Sequence, residues 1–398
     1  MTIAPDRQQP SPPQRQWRVV LLIPAYNEEE SIERTLRAAV DQDYPVEAIV
    51  VVANNCKDRT ADVARAVPGV TVVELPNEPH KKAGSLNRMY RAYRAEADFF
   101  VCIDADTILP PPSVRQWVAQ MEREPDTGGI SARFTMVPTP GGPIWANFLT
   151  RMQKHEFAGW TDKALNREGA TSVLAGTANC LRVAALDELT DLRLLRDGYE
   201  FGPWFYGSLV EDYDLTYELR RLGWQTKVSY EVRAYTEAMP DLRSLWAQRR
   251  KWQSGTVADL FRQGITRYNY REWLVQFQGL FMTAFRLVWL TTMVLFATFG
   301  ILTLQWFWIM LPLFFAATDV KRAWRVPHRD KRDLLLAATF FPLEAAAWMH
   351  GLLTTIAVKE AIVARFTGRR QDLWAKQAAA EGGRAGSGVD AVPAIERR

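Results

Sequence analysis

Two pairs of carboxylates stand where this 398-residue chain could carry out chemistry. Asp104 and Asp106 directly follow the apolar run 99–103. Carboxylates at i and i+2 on a turn can reach one hard cation and the groups that it holds. Glu211 and Asp212 precede a predicted helix, where a carboxylate could act as a general base toward a hydroxyl group. A solvated loop and a helix N-cap are the respective alternatives, and the position after an apolar strand favours a site for the first pair.

Three further polar segments follow strands or begin helices, and the first and last of them could bind a nucleotide or its phosphates. Pro24, Tyr26 and Glu28 combine a turn, an aromatic face and hydrogen-bond acceptors at a helix start, which suits a nucleobase and ribose. A capped helix start is an equal alternative for them. Asn54 follows the second apolar strand and resembles a turn with a helix cap. Lys82 places a cation at the start of a helix, which suits a diphosphate, and an ordinary surface lysine is the alternative.

The basic segment 248–252 lies shortly before the apolar C-terminal part of the chain. Arg249 and Arg250, next to Gln248, could hold a diphosphate, and Trp252 could stack on a sugar. A basic anchor at a membrane interface, with its aromatic ring at headgroup level, is the alternative.

The spacing of apolar residues predicts the elements that position these side chains. The predicted strands are 19–23, 49–53, 70–74 and 99–103, and the predicted helices are 28–40, 59–66, 83–95 and 213–222. Alternation of strands and helices indicates an α/β fold with a parallel sheet, whose ligands bind at the carboxyl ends of the strands. The polar segments 24–28, 54–58 and 104–106 each follow a strand, so we expect them at one edge of the sheet.

The composition limits the class of protein. A formal net charge of +4 is small for this length and argues against a general nucleic-acid binder. Three scattered cysteines argue for a reducing compartment and against a disulfide framework. Residues 1–16 are rich in Pro and Gln without an apolar core, so we expect a disordered tail rather than a signal peptide. The N-terminal half is therefore expected in the cytoplasm.

The C-terminal part has the composition of a membrane region. Residues 287–318 contain no acidic or basic side chain. At ~1.5 Å per residue, one helix of this length would overshoot a ~30 Å hydrocarbon core, so we expect two crossings that turn near Gly300. The segment 319–333 carries six Lys or Arg, which predicts a cytoplasmic loop. For the segment 334–365, which is apolar up to residue 358, we expect a re-entrant segment, a segment split at Pro342, or a single third crossing.

These features predict five segments and a location. The segments are a disordered tail at 1–16, a catalytic domain at 17–240, an interfacial segment at 241–273, a membrane region with two or more transmembrane helices at 274–366, and a flexible cytoplasmic tail at 367–398. The predicted location is the cell membrane, crossed several times, with the catalytic domain on the cytoplasmic side.

The order of the motifs resembles that of the family 2 glycosyltransferases, whose catalytic domain has the Rossmann-like GT-A fold. The resemblance runs from about residue 19 to 252 and continues into the membrane segments, and it is closest to the membrane-integrated branch of poly-N-acetylglucosamine, cellulose and hyaluronan synthases. The matching motifs are the entry segment 24–28, K-A-G-x-L-N at 82–87, the DxD triplet at 104–106, G-T-A-N at 176–179, V-E-D at 210–212 and the Q-x-x-R-W position at 248–252.

The resemblance implies a UDP-sugar donor, with UDP-GlcNAc or UDP-Glc favoured. Asp104 and Asp106 would hold Mg²⁺ or Mn²⁺ on the diphosphate, where the metal stabilises the departing UDP. Family members often have an aspartate at the position of Asn54, so recognition of the base can differ here. The residues implied in binding the nucleotide are Pro24, Tyr26, Glu28, Asn54, Lys82 and Asp104.

For the reaction itself, the resemblance implies that Asp212 is the base, supported by Glu211, and that attack on the opposite face inverts the anomeric centre. Lys251 replaces the usual arginine of Q-x-x-R-W, and a lysine cannot supply a bidentate fork. The residues expected to close over the diphosphate and the acceptor sugar are Gln248, Arg249, Arg250 and Trp252.

Transfer of a hexose or N-acetylhexosamine to a glycan acceptor, including polysaccharide synthesis, is the function that the resemblance favours. Single transfer to a polyprenyl-phosphate or glycolipid acceptor is one alternative, and an inactive membrane scaffold is another. Membrane lipid is an expected partner. Intact Asp104, Asp106 and Asp212 argue against the scaffold.

Overall fold

A computed structural model describes residues 16–136, 142–301, 303, 306–367 and 373–381. Almost all of the predicted tail 1–16, and most of 367–398, lies outside the described residues. The elements in chain order are β1 Val19–Ala25, α1 Ile32–Val40, β2 Ala48–Asn54, α2 Thr60–Arg65, β3 Thr71–Leu75, α3 Lys81–Tyr93, β4 Phe99–Ile103, α4 Ser113–Arg123, β5 Thr127–Thr135, α5 Ile144–Leu165, β6 Ala178–Arg182, α6 Val183–Asp197, α7 Glu211–Arg221, β7 Gln225–Tyr235, α8 Leu242–Gln263, α9 Tyr270–Thr298, α10 Trp306–Ala323, α11 Lys331–Ala338, α12 Phe341–Thr367 and α13 Leu373–Glu381.

The described strands form one seven-stranded sheet in the order β3-β2-β1-β4-β6-β5-β7. The pairs β1–β2, β1–β4, β2–β3 and β5–β7 are parallel. Only β6 runs in the opposite direction, between β4 and β5. The predicted α/β fold with a mostly parallel sheet is therefore confirmed. The continuous apolar runs of β1, β2 and β4 fit this arrangement because strands of a parallel sheet are buried on both faces.

Helices pack on both faces of the sheet and make two separate apolar cores. One core joins the sheet to α1 and α4, through side chains such as Leu36 and Trp117. The other joins it to α3, α6 and α7, through Met89, Leu186 and Leu215. This three-layer arrangement fixes the ends of the strands, and with them the polar loops that follow.

The C-terminal helices agree only in part with the predicted membrane region. Helix α9 ends at a left-handed turn at Gly300 (φ 67°), where the sequence predicted a turn. Among the described residues, α9 is the one helix long and apolar enough to cross a membrane. The predicted loop 319–333 is partly helical, because α10 continues to Ala323 and its last turn carries Lys321 and Arg322, which favour the negative end of the helix dipole.

Helix α9 has an unusual exposure for a helix of this size. None of its residues is buried, and its outer side presents large apolar side chains such as Phe277, Phe285 and Val288. Its inner side packs on α12, where Arg286 Nε donates to Glu344 Oε1 at 2.6 Å. The break before α12 falls at Phe340 (φ 59°), next to the predicted split at Pro342.

Candidate active site

The loops after β1 and β2 meet at the carboxyl edge of the sheet. The backbone N–H of Lys57 donates to Asn27 Oδ1 at 2.8 Å, and that of Glu28 donates to Thr60 Oγ1 at 2.8 Å. Asn27 adopts a left-handed conformation (φ 55°), which asparagine tolerates better than most residues. These bonds fix the residues that follow Tyr26, which is itself 48% exposed at the edge of the sheet. The predicted nucleotide-binding loops are therefore adjacent.

Asn54 ends β2 at the same edge of the sheet and is buried. Its side-chain oxygen Oδ1 has no hydrogen-bond partner within the described part of the chain. Pro24 lies in β1 and pairs with Val52 of β2. The Glu28 carboxylate accepts a hydrogen bond from Ser31 Oγ at 2.7 Å. The four side chains that the sequence singled out in these loops thus share one edge, with Asn54 the deepest.

Lys82, at the start of α3, joins the two carboxylate pairs. Its ammonium group forms an ion pair with Asp104, donates to the carbonyl oxygen of Gly176 at 3.2 Å, and lies 3.8 Å from Glu211 Oε1. Burial lowers the pKa of Lys82, but the negative charges of Asp104 and Glu211 outweigh this and raise it overall. The lysine therefore remains a cation near neutral pH.

Asp212 lies at the first turn of α7, and backbone N–H groups donate to both of its oxygens. The N–H of Gly176 donates to Oδ2 at 3.0 Å, and that of Tyr213 donates to Oδ1 at 2.8 Å. Burial, followed by the charge of Glu211, raises the pKa of Asp212 to about 6 against the opposing effect of Lys82. The N-cap of α7 is Val210, so the alternative of Asp212 as a simple helix cap is wrong.

Asp106 lies two residues beyond Asp104 on the turn after β4. Its Oδ1 accepts hydrogen bonds from Thr107 Oγ1 at 3.3 Å and Thr236 Oγ1 at 3.4 Å. Within the described ranges, no group of three or more His, Cys, Asp or Glu side chains could hold a metal ion. The two aspartates therefore offer hard oxygen atoms without a complete set of protein ligands.

The basic segment 248–252 lies on α8, and its arginines face carboxylates of other helices. Arg249 is buried, pairs with Glu156 of α5 at 2.9 Å, and stacks over the ring of Trp252 at 4.5 Å. His350 of α12 bonds the other oxygen of Glu156 at 2.8 Å. Burial alone would raise the pKa of Glu156. Arg249 and His350 have a larger effect in the opposite direction, and the pKa is lowered overall to about 2.

Arg250 makes the second connection from α8 to α12. It pairs with Glu360, whose other oxygen accepts from Ser254 Oγ at 3.1 Å. Gln248, one residue before the two arginines, accepts a hydrogen bond from Arg249. The contacts that the structure gives these side chains thus tie α8 to α5 and α12.

Sequence reasoning missed the charged residues that support α7. Asp214 is fully buried and pairs with Arg193 of α6 at 2.6 Å and with Arg262 of α8. Asp259 of α8 pairs with the same Arg262 at 3.0 Å and accepts from Ser208 Oγ at 2.5 Å. The signal available in the sequence was Asp214 itself, a third acidic residue close to Glu211 and Asp212 at the start of a predicted helix. Its partners come from distant parts of the chain and leave no local pattern.

The fold and the polar edge of the sheet together define an α/β protein with a candidate ligand site at the carboxyl ends of its parallel strands. Residues 14–255, more than half of the chain, match the family model described as Glycosyltransferase like family 2. The chain belongs to this glycosyltransferase family, and the resemblance seen in the motifs is confirmed.

Similar proteins of known name agree with this assignment. Poly-beta-1,6-N-acetyl-D-glucosamine synthase of Staphylococcus aureus is 23% identical over 253 residues, which are 61% of this chain and 56% of that protein. The enzyme of the same name from Staphylococcus epidermidis is 21% identical over the same shares. The chain thus matches about half the length of these relatives. A mannosyltransferase of Pyrobaculum calidifontis, solved in complex with GDP-Man and Mn²⁺, shares the fold with a TM-score of 0.50 and 19% identity, over 90% of this chain and 89% of that one.

Proposed function

We propose that this chain is an inverting glycosyltransferase that transfers a hexose or N-acetylhexosamine from a UDP-sugar to a glycan acceptor. The observation that carries the proposal is Asp212. It is a carboxylate in the first turn of α7 with a pKa of about 6, and the positive charge of Lys82 acts on it. At neutral pH such a group is mostly ionised and still basic enough to accept a proton.

The reaction follows from these groups. An acceptor hydroxyl oxygen attacks C1 of the donor sugar, the bond between C1 and the diphosphate oxygen breaks, and the electron pair leaves with UDP. Asp212 takes the proton of the hydroxyl group. Glu211 supports the base by raising its pKa. Attack from the face opposite the diphosphate inverts the anomeric centre.

The donor nucleotide is proposed to bind along the loops after β1 and β2. The exposed ring of Tyr26 offers a stacking face, and the unpartnered oxygen of Asn54 offers an acceptor for the N–H of a uracil base. Pro24 and Glu28 shape the same loop. Lys82, which is held by Asp104, provides a positive charge for the diphosphate.

A divalent cation fits Asp104 and Asp106. Mg²⁺ and Mn²⁺ prefer oxygen ligands, and Mg²⁺ is commonly held by one or two carboxylates together with substrate phosphates. Two aspartates match this pattern, since the described residues hold no group of three or more His, Cys, Asp or Glu side chains for a metal. When bound, the cation supplies positive charge that stabilises the departing diphosphate. The mannosyltransferase of similar fold, solved with Mn²⁺, is consistent with this.

The acceptor is proposed to lie toward α8. Trp252, with Trp160 at a ring distance of 6.2 Å, forms an aromatic surface suited to a sugar. For Arg249 and Arg250 to bind phosphate beside Gln248, they must exchange Glu156 and Glu360 for phosphate oxygens. The uncovered apolar side of α9 supports a membrane location. The basic residues of the segment 319–333 support a cytoplasmic position for the catalytic domain.

Asp212→Asn tests the proposal. The variant leaves the size of the side chain unchanged and removes the base, so transfer from UDP-sugar should fall by about 10²- to 10⁴-fold. The assay uses the purified chain in lipid with Mn²⁺ and radiolabelled UDP-sugars, followed by sizing of the product. Asp191→Asn, at an exposed position on α6, is the matched control and should be unaffected. Undiminished transfer by Asp212→Asn would refute the assignment of the base.

A further inference from the structure

The start of α7, which carries the proposed base Asp212, is held on one face by the segment 174–176. The N–H of Gly176 donates to Asp212 Oδ2 at 3.0 Å, and the N–H of Leu174 donates to Thr216 Oγ1 at 2.8 Å. Asp212 and Thr216 are four residues apart and therefore lie on the same face of the helix. A displacement of α7 from this segment would change the hydrogen bond that Asp212 accepts from Gly176.

The opposite face of α7 packs on α8. Because an α-helix turns by about 100° per residue, Asp214 points away from Asp212. Asp214 is fully buried and pairs with Arg262 of α8. A Cβ atom on Gly255 of α8 would lie 3.0 Å from both methyl carbons of Val210, the N-cap of α7. The two helices are therefore in close contact where α7 begins.

Arg262 also holds the segment that leads into α7. Its guanidinium carbon lies 4.7 Å from the centre of the Phe205 ring. It pairs with Asp259 at 3.0 Å, and Asp259 accepts a hydrogen bond from Ser208 Oγ at 2.5 Å. The same Oγ accepts from the N–H of Val210 at 3.0 Å. One guanidinium group thus contacts both the first turn of α7 and the residues before it.

We propose that Arg262 is a positioning residue for the base. It holds the first turn of α7 against α8, so that Asp212 stays at the N–H of Gly176 and faces the acceptor hydroxyl. Gly255, Asp259 and Arg262 follow the i, i+4, i+7 spacing of one helix face, and Gly255 lets α7 approach that face closely. This inference rests on the proposed function and adds a residue that acts on the base without touching the substrate.

The first test is Arg262→Gln, assayed as transfer from a UDP-sugar by the full chain in lipid with Mn²⁺. Misplacing a reacting group by about 1 Å costs about 10²-fold, so kcat should fall by about this factor. The KM of the donor, and the binding of UDP measured by calorimetry, should stay the same, because the contacts given for Arg262 are with α7, α8 and the segment before α7. Arg262→Lys keeps the charge and should recover at least part of kcat.

Arg196→Gln is the matched control. Arg196 is 30% exposed, against 29% for Arg262, and pairs with Glu218, a buried carboxylate in the second half of the same helix, at 3.2 Å. In each case the carboxylate has a second arginine partner. Both variants should lower the midpoint of thermal unfolding by similar amounts, but Arg196→Gln should leave kcat unchanged. If both variants lower kcat equally, or neither does, Arg262 serves the fold alone and the inference is wrong.

Gly255→Ala tests the same position without removing a charge. The added methyl group would press on Val210, so kcat should fall by about tenfold, whereas alanine favours the helical conformation of α8 itself. Gly279→Ala in α9 is the control, because the nearest atoms to an added Cβ there are at 3.7 Å, an ordinary contact distance. A Gly255→Ala enzyme with the kcat of its control would contradict the proposed packing role.

The pH profile of Gly255→Ala reports the position of the base directly. The N–H of Gly176 lowers the pKa of Asp212, so weakening this hydrogen bond should raise that pKa from about 6. The rise of kcat/KM should therefore move to higher pH. Lys82 and Glu211, which also act on Asp212, are unchanged in this variant. A profile that coincides with that of Gly279→Ala would mean that the base has not moved, which overturns the inference.

The tests separate this inference from the proposed function. If Asp212→Asn abolishes transfer but Arg262→Gln and Gly255→Ala behave like their controls, the inference fails and the proposed base stands. If the wild type transfers no donor, the proposed function fails. The titration of Asp212, followed by NMR on protein with isotope-labelled aspartate, then still decides: a higher pKa in Gly255→Ala supports the positioning role, and an unchanged pKa overturns it.

Discussion

Two cations in this molecule, Lys82 and Arg249, differ in the number of carboxylates that surround them. Lys82 stands among three carboxylates, Asp104, Glu211 and Asp212. Arg249 shares the single carboxylate Glu156 with His350. The pKa of Asp212 is raised to about 6, whereas that of Glu156 is lowered to about 2.

The comparison shows how the same residue types serve chemistry in one place and architecture in another. Where carboxylates outnumber cations, one of them keeps a raised pKa and the cluster can take additional positive charge. Where positive partners balance a carboxylate, that carboxylate stays ionised and links the helices that carry the partners. Mutations in the two clusters should therefore differ in the size of the free-energy change and in whether they affect stability or turnover.

Arg249→Met should have the largest effect, on folding. It leaves the largely buried Glu156 without its main partner, and breaking a buried ion pair from one side costs about 3–5 kcal/mol of unfolding free energy. Thermal unfolding of the protein in one detergent measures the change. The double variant Arg249→Met/Glu156→Gln removes the unpaired charge and should recover part of the loss. If the single variant is as stable as the exposed control Arg37→Met, then Glu156–Arg249 is not an architectural pair.

Lys82→Met should act on turnover more than on folding. It removes the cation among three carboxylates and the proposed contact with the diphosphate. Hydrogen bonds to charged groups contribute about 1.5–3 kcal/mol, which corresponds to a loss of about 10- to 100-fold in kcat/KM for the UDP-sugar. Lys227→Met is the control. Lys227 lies on the far strand β7, and the variant breaks its ion pair with Glu124. A Lys82→Met enzyme with control-like kcat/KM would place Lys82 with the architectural cations.

Glu211→Gln should shift the pH dependence of turnover. Asp212 must be ionised to act as a base, so kcat/KM should rise with pH through about 6 and level off above it. The negative charge of Glu211 raises that pKa, so its removal should move the rise to lower pH, by up to about one unit or 1.4 kcal/mol. The pH profile of kcat/KM measures the shift. An unchanged profile, matching that of the surface variant Glu33→Gln, would contradict the role of Glu211.

The pair Arg250–Glu360 should give the smallest effect. Both side chains are 24% exposed, so solvent screens the pair, and exposed pairs contribute about 0.2–1 kcal/mol. A double-mutant cycle with Arg250→Gln and Glu360→Gln, followed by thermal unfolding, measures the coupling. A coupling energy near that expected for Arg249–Glu156 would mean that α12 is held by both arginines equally.

The sequence predicted the first half of the fold well for a physical reason. Strands β1 to β4 are short apolar runs, and the helices between them have helical spacing, so local patterns were sufficient. Strand β5 contains Gly128 and Gly129, which interrupt an apolar strand pattern. It also pairs with β7, about 100 residues further along the chain, so no local pattern predicts it. The carboxylate pairs were recognised because one follows an apolar strand and the other stands at the start of a helix, although α7 begins at Glu211 and not after Asp212 as predicted.

What could not be predicted is how distant residues meet. The partners of Arg249 and Asp214 lie on other elements, and only the tertiary packing brings them together. The membrane region was predicted from composition alone, and the described residues contain one helix that is long and apolar enough to cross a membrane.

The reversed direction of β6 has a consequence for how this site can change. For a parallel strand, the loop that follows it lies at the ligand edge of the sheet. For an antiparallel strand, the loop that precedes it lies at that edge. The segment 170–177, before β6, therefore supplies the Gly176 N–H to Asp212 from the opposite chain direction. Insertions between α5 and β6 would reshape the surroundings of the base without altering the order of any strand.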